Sequence, residues 1–215
     1  MTPEITVNTQ SSIRIQGSDG IIRFDPFKIT GEPHDTDMIF ITHDHYDHFS
    51  PEDIRKVSKP GTVLIAPKNM AKQLKAQGFT NILLLVPGET AALHNIRIEA
   101  VAAYNSLKPF HPKSKGNLGY VITTDGQRIY AAGDTDAVSE IKAVKCDVAF
   151  VPIGGAFTMN PEEAAALVNE IKPAIAVPIH YGSIVGSMSC GEAFRSLVSA
   201  DIETKLLLNE EPAFH

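Results

Sequence analysis

The chain has 215 residues, 43% of them hydrophobic, which is enough to bury a full core, and we expect one domain over residues 1–215. Its formal net charge of −6 argues against a dedicated nucleic-acid binder or a protein of anionic membrane surfaces. The N-terminus lacks a signal-peptide pattern, and the longest aliphatic run, Ile82–Val86, is too short to span a bilayer. Cys146 and Cys190 are far apart in sequence and are expected to be reduced, so we expect a cytoplasmic protein.

Strand and helix patterns alternate along the chain. Apolar runs bounded by turn residues predict strands at Ser12–Gln16, Ile21–Asp25, Met38–Thr42, Thr62–Ala66, Ile82–Val86, Ile96–Ala103, Gly119–Thr124, Arg128–Ala132, Asp147–Ile153, Ile175–Ile179 and Thr204–Leu208. Helical patterns occupy Pro51–Ser58, Asn69–Gln77, Ala137–Val144, Pro161–Ile171 and Glu192–Ser199. Asp125-Gly126 between two of the strands predicts a tight hairpin. Hairpins mixed with helical crossovers predict an α/β protein with mixed sheets covered by helices.

The most informative segment follows the strand Met38–Thr42. Residues 43–48 read His-Asp-His-Tyr-Asp-His and contain three of the chain's eight histidines. Imidazole and carboxylate are the ligands that a borderline divalent cation prefers. The Ser50-Pro51 pair after the segment is typical of a helix start, so a short loop is pinned between a strand and a helix. The segment predicts a metal site rather than a solvated histidine-rich loop, and its candidate ligands are His43, His45, Asp47 and His48.

Two later predicted strands also end in residues that can bind a metal. Asp134 follows one of them in the sequence Gly-Asp-Thr-Asp, and His180 follows the other. Each has a structural alternative, because Asp136 can cap the next helix and a lone histidine after a buried strand is often a hydrogen-bonded core residue. Tyr181 either donates to a substrate oxygen or packs in the core.

The His-x-His-x-Asp-His motif in its strand–loop–helix setting resembles the metallo-β-lactamase-fold hydrolases, and the chain is most similar to their small lactonase-like branch. The resemblance implies a four-layer αββα sandwich of two mixed β-sheets with the metal site at its edge. It also implies two metal ions, the first held by His43 and His45, the second by Asp47, His48 and His180, with Asp134 bridging them. Ligands with nitrogen and oxygen donors and no thiolate favour Zn²⁺, with Mn²⁺ or Fe²⁺ as alternatives.

The resemblance further implies a histidine ligand near the end of the strand Ile96–Ala103. Asn105 stands at that position, and His111 lies six residues on, in a loop rich in Lys, Pro, Ser and Gly. We favour His111 as the ligand, because an amide oxygen matches zinc poorly and a loop closed over the metals would exclude water; Asn105 is the alternative. For Asp25, in an early Asp-Pro turn, we favour a turn residue over a contact to the metal ligands.

The function predicted from these motifs is a metal-dependent hydrolase. By resemblance, a metal-activated water attacks the carbonyl carbon or phosphorus of a small ester, lactone or phosphodiester, and Asp47 accepts or relays the proton. We expect a small-molecule substrate, no nucleic acid and no membrane as partners, and leave homo-oligomerisation open. The alternatives are a nucleic-acid-processing nuclease of the same fold and a non-catalytic metal-binding module.

Overall fold

Two β-sheets form the centre of the structure, a computed structural model that describes residues 3–106 and 108–208. In these ranges the first sheet contains, in spatial order, β1 (Glu4–Val7), β2 (Ile13–Gly17), β3 (Gly20–Phe24), β4 (Thr36–Phe40), β5 (Ser58–Pro67) and β6 (Ile82–Leu85). The second contains β7 (Thr90–Leu93), β8 (Ile96–Ala102), β9 (Leu118–Thr124), β10 (Gln127–Ala131), β11 (Val148–Pro152), β12 (Ile175–Ile179) and β13 (Glu203–Thr204). The helices are α1 (Pro51–Val57), α2 (Ala71–Ala76), α3 (Ser139–Lys142), α4 (Pro161–Ile171) and α5 (Ser189–Leu197), with short 3₁₀ turns at Lys68–Met70 and Lys113–Lys115.

Both sheets change from antiparallel to parallel pairing across their width. In the first sheet β1, β2 and β3 pair antiparallel, and β3 to β6 pair parallel. In the second sheet β7 to β10 pair antiparallel, and β10 to β13 pair parallel. The turn between β9 and β10 has positive φ at Asp125 (50°) and Gly126 (74°), as a type I′ hairpin requires. The predicted hairpin is confirmed.

The main hydrophobic core lies between the two sheets, because one face of each sheet is apolar. Along β8, for example, Ile96, Ile98 and Ala100 are buried in this core, whereas Arg97 and Glu99 alternate with them on the opposite face. Burying a side chain the size of isoleucine contributes about 1.5–3 kcal/mol relative to leaving it exposed. The alternation therefore fixes which face of the strand turns inward.

Helices cover the outer faces of both sheets. α1 and α2 pack on the first sheet through Ile54 and Leu74. The second sheet is covered by α3, α4 and α5 through Ile141, Leu167 and Phe194. The predicted α/β class and its αββα layers are confirmed.

Two helices begin where their capping residues predict. Ser50 caps α1 by accepting a hydrogen bond from the backbone N–H of Asp53. In α4, Asn160 and Glu163 form a capping box, and the helix ends before Pro173 with Lys172 in the left-handed conformation at φ 51°. These caps hold the helices that follow two of the strand ends.

Some predicted elements differ from the observed ones. β1 and β7 are not predicted, since both are short and only partly buried, so their apolar pattern is weak. The predicted helix Ala137–Val144 shortens to Ser139–Lys142, because its cap is Val138 and not Asp136. The predicted helix Asn69–Gln77 divides into a 3₁₀ turn followed by α2.

The strands that precede the candidate ligands end at one edge of the sandwich. There the backbone N–H of Leu118 donates to the carbonyl of Thr42 at 3.0 Å, and the hydroxyl of Tyr120 donates to the carbonyl of Ile41 at 2.7 Å. Gly133 lies at this junction with φ 66°, and a Cβ on it would meet the Leu118 carbonyl oxygen of its own sheet at 2.9 Å and the Thr42 Cβ, which follows β4 of the first sheet, at 3.1 Å. Glycine therefore allows the two sheets to approach where β10 gives way to Asp134.

Two further expectations from the sequence concern the state of the cysteines and membrane-spanning segments. Cys146 and Cys190 are both free thiols, as expected, and burial raises the pKa of the Cys146 thiol to about 12. Among the described residues, none of the helices is long and apolar enough to cross a membrane.

Candidate metal centre

The seven side chains predicted as metal ligands lie together at the sandwich edge, although their positions in the sequence span residues 43 to 180. They divide into two groups whose nitrogen and oxygen atoms lie within 4.8 Å of one another: His43, His45, His111 and Asp134 in the first group, and Asp47, His48 and His180 in the second. Each group can offer three or more donors to one cation.

The first group combines the loop after β4 with the loop after β8. His45 Nδ1 lies 3.2 Å from His111 Nε2, and His111 Nε2 lies 3.5 Å from Asp134 Oδ2. His43 Nε2 is 3.9 Å from the same carboxylate oxygen. His45 is exposed, whereas His43, His111 and Asp134 are buried. The cluster therefore opens to solvent on the His45 side.

The second group joins the loop after β4 to the end of β12. Asp47 Oδ2 lies 3.5 Å from His48 Nε2 and 3.3 Å from His180 Nε2. His180 takes a left-handed backbone conformation, φ 57°, directly after the strand. This conformation turns the chain out of the strand at the point where the imidazole joins the cluster.

Asp134 contacts both groups. Its Oδ1 lies 3.4 Å from His48 Nε2, and its Oδ2 lies 3.3 Å from His180 Nε2 and 3.5 Å from His111 Nε2. The residue is only 3% exposed. The Asp134 carboxylate therefore lies between imidazoles of the two groups.

A chain of hydrogen bonds behind the cluster orients two of the histidines. Thr42 Oγ1 donates its proton to Asp25 Oδ2 at 2.7 Å, so the Thr42 hydroxyl oxygen accepts a hydrogen bond from His43 Nδ1 at 3.0 Å. His48 Nδ1 donates to the same Asp25 oxygen at 2.7 Å. Both histidines are thereby left with Nε2 directed into the cluster.

Asp25 is therefore more than a turn residue, and the interpretation favoured from the sequence was wrong. It is 1% exposed, its Oδ1 accepts the backbone N–H of Thr42 at 2.8 Å, and its Oδ2 binds His48. An isolated Asp-Pro turn in the sequence gives no sign of this contact, because the parallel pairing of β3 with β4 brings Asp25 beside Thr42.

Asn105 and His111 occupy different places in the site. Asn105 Oδ1 accepts hydrogen bonds from the backbone N–H of His111 at 3.1 Å and from its Nδ1 at 2.9 Å. With Nδ1 protonated, a neutral His111 carries its lone pair on Nε2, which faces His45 and Asp134. The structure thus brings His111 into the cluster and places Asn105 behind it.

The loop that carries His111 is tied to the segment after β10. Asp136 Oδ1 accepts hydrogen bonds from Asn105 Nδ2 at 3.1 Å and Lys108 Nζ at 2.8 Å, and its Oδ2 accepts the backbone N–H of Ser106 at 2.9 Å. The expectation that Asp136 caps a helix was wrong, since its carboxylate is used by this loop. The loop folds back, leaving His111 fully buried.

Gln10, which sequence reasoning missed, contacts both parts of the second group. Its side-chain Nε2 donates to Asp47 Oδ2 at 3.4 Å, and its backbone carbonyl accepts the N–H of His180 at 3.0 Å. It is fully buried with a positive φ of 49°. A glutamine in a polar turn carries no ligand-like spacing, so the sequence offered no signal for it.

Tyr181 packs in the hydrophobic core. It is 1% exposed, belongs to the core beneath α4 and α5, and lies against Gly191, where a Cβ would meet its hydroxyl at 2.7 Å. Of the two alternatives from the sequence, packing is the observed one.

Burial and close neighbours shift the pKa values of the clustered carboxylates and imidazoles in different directions. Burial alone would raise the pKa of Asp47, but His180 and His48 outweigh it and lower this pKa to about 2. Burial likewise opposes the shift at Asp134, yet His180 and His48 hold its pKa well below the usual range. His43 has its pKa lowered by burial, whereas Asp134 and Asp25 overcome burial and raise the pKa of His48. The raised pKa of His48 favours its protonated imidazole, and a cation bound at Nε2 would displace the proton there.

The donor atoms fit a metal, because several of them are buried and have no hydrogen-bond partner within the described residues. These atoms are His43 Nε2, His48 Nε2, His180 Nε2 and Asp134 Oδ1. Leaving a buried polar group unpaired costs about 1–3 kcal/mol each. Bound metal would give these atoms partners, and imidazole nitrogen and carboxylate oxygen are donor types that divalent cations take.

Comparison with known proteins shows the family of this chain. A family model described as "Beta-lactamase superfamily domain" matches residues 4–180, from β1 to His180. The chain belongs to the β-lactamase superfamily. Within this superfamily it is similar to the UPF0173 metal-dependent hydrolase of Thermoplasma acidophilum, with 35% identity over 176 residues covering 79% of this chain and 76% of that protein.

Further relatives of this superfamily member extend over almost its whole length. The UPF0173 metal-dependent hydrolase of Thermococcus onnurineus is 32% identical over 212 residues, covering 92% of each protein. A crystal structure of a candidate metal-dependent hydrolase from Parabacteroides distasonis superposes with a TM-score of 0.80 at 31% identity, covering 97% of this chain and 93% of that one. The prediction of a metal-dependent hydrolase is confirmed.

In this β-lactamase superfamily member, an open cleft of about 470 Å³ lies directly over the two groups. Its lining consists of Asp44, His45, Tyr46, Asp47, Phe110, Asp134, Phe157, His180 and Ile184. This volume is in the range of small-molecule sites. The cleft gives a substrate access to both groups at once.

Proposed function

We propose that this metal-dependent hydrolase uses two metal ions to cleave a small ester, lactone or phosphodiester. His43, His45 and His111 would hold the first ion, and Asp47, His48 and His180 the second, with Asp134 shared between them. Seven donors exceed the four of a tetrahedral zinc site, which supports two ions rather than one. The contacts of Asp134 with both groups carry the proposal.

Zinc is the metal we propose, with Mn²⁺ or Fe²⁺ as alternatives. Imidazole nitrogen and carboxylate oxygen suit all three cations, and none of the ligands is a thiolate. The contacts of Thr42, Asp25 and Asn105 behind His43, His48 and His111 support the assignment. Metal-bound histidines generally donate their second ring N–H to such a group.

When bound, the cations would supply Lewis acidity and lower the pKa of a water in the cleft. The chain's own contribution is to orient and to accept a proton. Asp47 lines the cleft beside both groups, and its carboxylate would accept or relay the proton lost by the attacking water. Gln10 holds Asp47 Oδ2 in place from behind. The loop around His111 keeps that imidazole buried, while the first group stays open to the cleft at His45.

The proposal extends to the type of enzyme, its domain organisation and its location. We propose a lactonase-like enzyme in which residues 1–215 act as one domain on a small molecule, in the cytoplasm and without a nucleic-acid partner. The formal net charge of −6 and the small-molecule size of the cleft support this proposal.

A metal titration tests the two-ion centre. Protein freed of metal with a chelator and titrated with Zn²⁺ should bind about two equivalents, as measured by calorimetry and elemental analysis. Asp47→Ala should lose the second equivalent and most hydrolysis of 4-nitrophenyl acetate. Asp44→Ala, in the same loop but outside both groups, should keep two equivalents. A single equivalent in the unaltered protein would contradict the proposal.

A further inference from the structure

Four apolar side chains border the cleft over the metal centre. Tyr46, Phe110 and Ile184 are 66%, 46% and 37% exposed, and half-buried Phe157 completes the group. Single exposed apolar side chains are normal on a protein surface, but several that line one cavity mark a binding surface. We refer to these four residues as the apolar wall.

Part of the apolar wall is fixed by the hydrogen bonds that hold His111. The rings of Phe110 and Phe157 meet edge to face with their centroids 4.6 Å apart. Asn105 Nδ2 donates to the carbonyl of Phe157 at 3.0 Å, while Asn105 Oδ1 accepts from His111 Nδ1. One asparagine thus positions both the wall and a candidate ligand.

The rest of the apolar wall is attached to the other ligand loops. Tyr46 lies between His45 and Asp47 in the sequence, and its ring meets the edge of Phe27 with centroids 6.0 Å apart. Ile184 follows His180 by four residues. An apolar group in the cleft would therefore lie next to the atoms that react.

The charges that line the cleft are acidic. Among its described lining residues there is no Lys or Arg, and Asp44 adds a carboxylate beyond the candidate ligands. Lys108 is close to Phe110 in sequence, but its ammonium group is bound by Asp136 at 2.8 Å and by the Thr158 carbonyl at 2.7 Å. Apart from the metal ions of the proposed centre, the lining residues thus offer an anionic substrate no cation, whereas phosphate sites commonly add Arg or Lys.

Resting on the hydrolase function proposed above, we propose that the substrate is an uncharged carboxylic ester or lactone that carries an aromatic or alkyl group beside the scissile bond. This group packs against the apolar wall. In the reaction the oxygen of water bonds to the carbonyl carbon, the bond from that carbon to the alcohol oxygen breaks, and the alcohol oxygen takes up a proton. The products are a carboxylic acid and an alcohol, and no oxidant or reductant is consumed.

Turnover of two ester series tests this proposal. The zinc-reconstituted protein is assayed on 4-nitrophenyl acetate, hexanoate and phenylacetate, which vary the acyl group, and on methyl and benzyl acetate, which vary the alcohol. Each buried methylene is worth up to about fourfold in binding. In at least one series kcat/KM should therefore rise by about tenfold or more from the small to the large group. Bis(4-nitrophenyl) phosphate should be a poorer substrate than the preferred ester.

Variants of the apolar wall show whether that preference arises there. Phe110→Ala and Ile184→Ala should remove most of the ratio between large and small groups, because each should lower kcat/KM for the large group much more than for the small one. Leu197→Ala is the matched control, because Leu197 is 45% exposed on α5 and outside the cleft, and it should leave the ratio unchanged. A ratio near one in both series, a ratio unaffected by Phe110→Ala, or a preference for the phosphodiester would overturn the proposal.

Binding of a neutral probe separates this proposal from the proposed function. Ligand-observed NMR should show 3-phenylpropionamide binding more tightly than acetamide, with and without zinc, and Phe110→Ala should weaken it. Loss of all ester turnover with this binding intact would count against the hydrolase centre alone. Turnover without any difference between the two amides would count against the apolar wall alone.

Discussion

Two loops supply the histidines of the first group, and they are held in different ways. The loop of residues 43–48 is short and is fixed by backbone hydrogen bonds, in which the N–H groups of His48 and Phe49 donate to the His45 carbonyl at 3.0 and 2.8 Å. The loop of residues 105–117 is longer and contributes one histidine, His111. This histidine is held by Asn105 of the same loop, and Asn105 and Lys108 are in turn bound by Asp136 after β10. The short loop is therefore closed by its own backbone, whereas the long loop also depends on the side chain of Asp136 outside it.

The two loops should respond differently to substitutions of residues that are not metal ligands. In the short loop, the strand before it and the capped helix after it determine the positions of the ligands. In the long loop, the position of His111 depends on Asn105, Lys108 and Asp136. Altering a residue that binds no metal should hence affect the long loop more than the short one.

The largest effect is expected where the two loops meet, at Asp134. Asp134→Asn keeps the shape of the side chain but removes the charge between the two groups, so two cations would repel each other without compensation. We expect kcat/KM for esters to fall by about a thousandfold or more, in keeping with the several kcal/mol that a metal supplies to transition-state charge. Circular dichroism should show an intact fold. Near-normal turnover in the variant would mean that Asp134 is only a turn acid.

A smaller effect separates the ligand of the long loop from its support. His111→Ala removes a donor, and zinc affinity at the first group should fall more than with Asn105→Ala. Asn105→Ala keeps the imidazole and removes only its hydrogen-bond partner. Loss of such a partner typically lowers metal affinity by about 10–100-fold. Paired zinc titrations by calorimetry measure both changes. If Asn105→Ala lost more affinity than His111→Ala, the asparagine or a water bound to it would be the ligand.

The short loop has its own supporting residue in Asp25. Asp25→Asn should weaken the carboxylate–histidine pair with His48 and lower zinc affinity at the second group by about 10-fold. Asp53→Asn is a matched control, since Asp53 is also a buried aspartate that accepts backbone N–H groups, those of Lys28 and Ile29, away from the cluster. Thermal unfolding should show both variants destabilised, while zinc titration should show only Asp25→Asn impaired. Equal zinc affinity in the two variants would remove Asp25 from the metal centre.

The smallest effect concerns the lysines of the long loop. Lys108→Met breaks the ion pair with Asp136 and should lower zinc affinity at the first group by a few-fold, because partly exposed ion pairs contribute about 1 kcal/mol or less. Lys113→Met is the control: this lysine pairs with Glu140, is 64% exposed and lies beyond His111. The zinc affinity of the Lys113→Met variant should stay at the level of the unaltered protein. Equal losses in the two variants would show that charge alone, and not the tether of the loop, is responsible.

Much of the fold and of the cluster can be predicted from the sequence because the relevant signals are local. Residues 43–48 carry their ligand spacing within six positions, and the caps at Ser50 and Asn160 mark helix starts within four residues. The turn at Asp125-Gly126 is also local. Such patterns need no knowledge of which strands pair.

The supporting residues could not be predicted, because their partners are distant in sequence. Gln10 reaches Asp47 across 37 positions, and Asn105 reaches Phe157 across 52. Asp136 has the sequence context of a helix cap, yet its carboxylate is used by a loop 28 to 31 residues earlier. Only the pairing of the sheets determines these neighbours.

The shared position of Asp134 also has a consequence for folding. The cluster needs residues 43–48 from the first sheet and Asp134 and His180 from the second, so its contacts are of long range in the sequence. Contacts of this kind form late, since a large loop must close before they are made. A metal that binds the native cluster and not the unfolded chain shifts the folding equilibrium toward the finished sandwich by mass action. Metal uptake during refolding would thus report the docking of the two sheets.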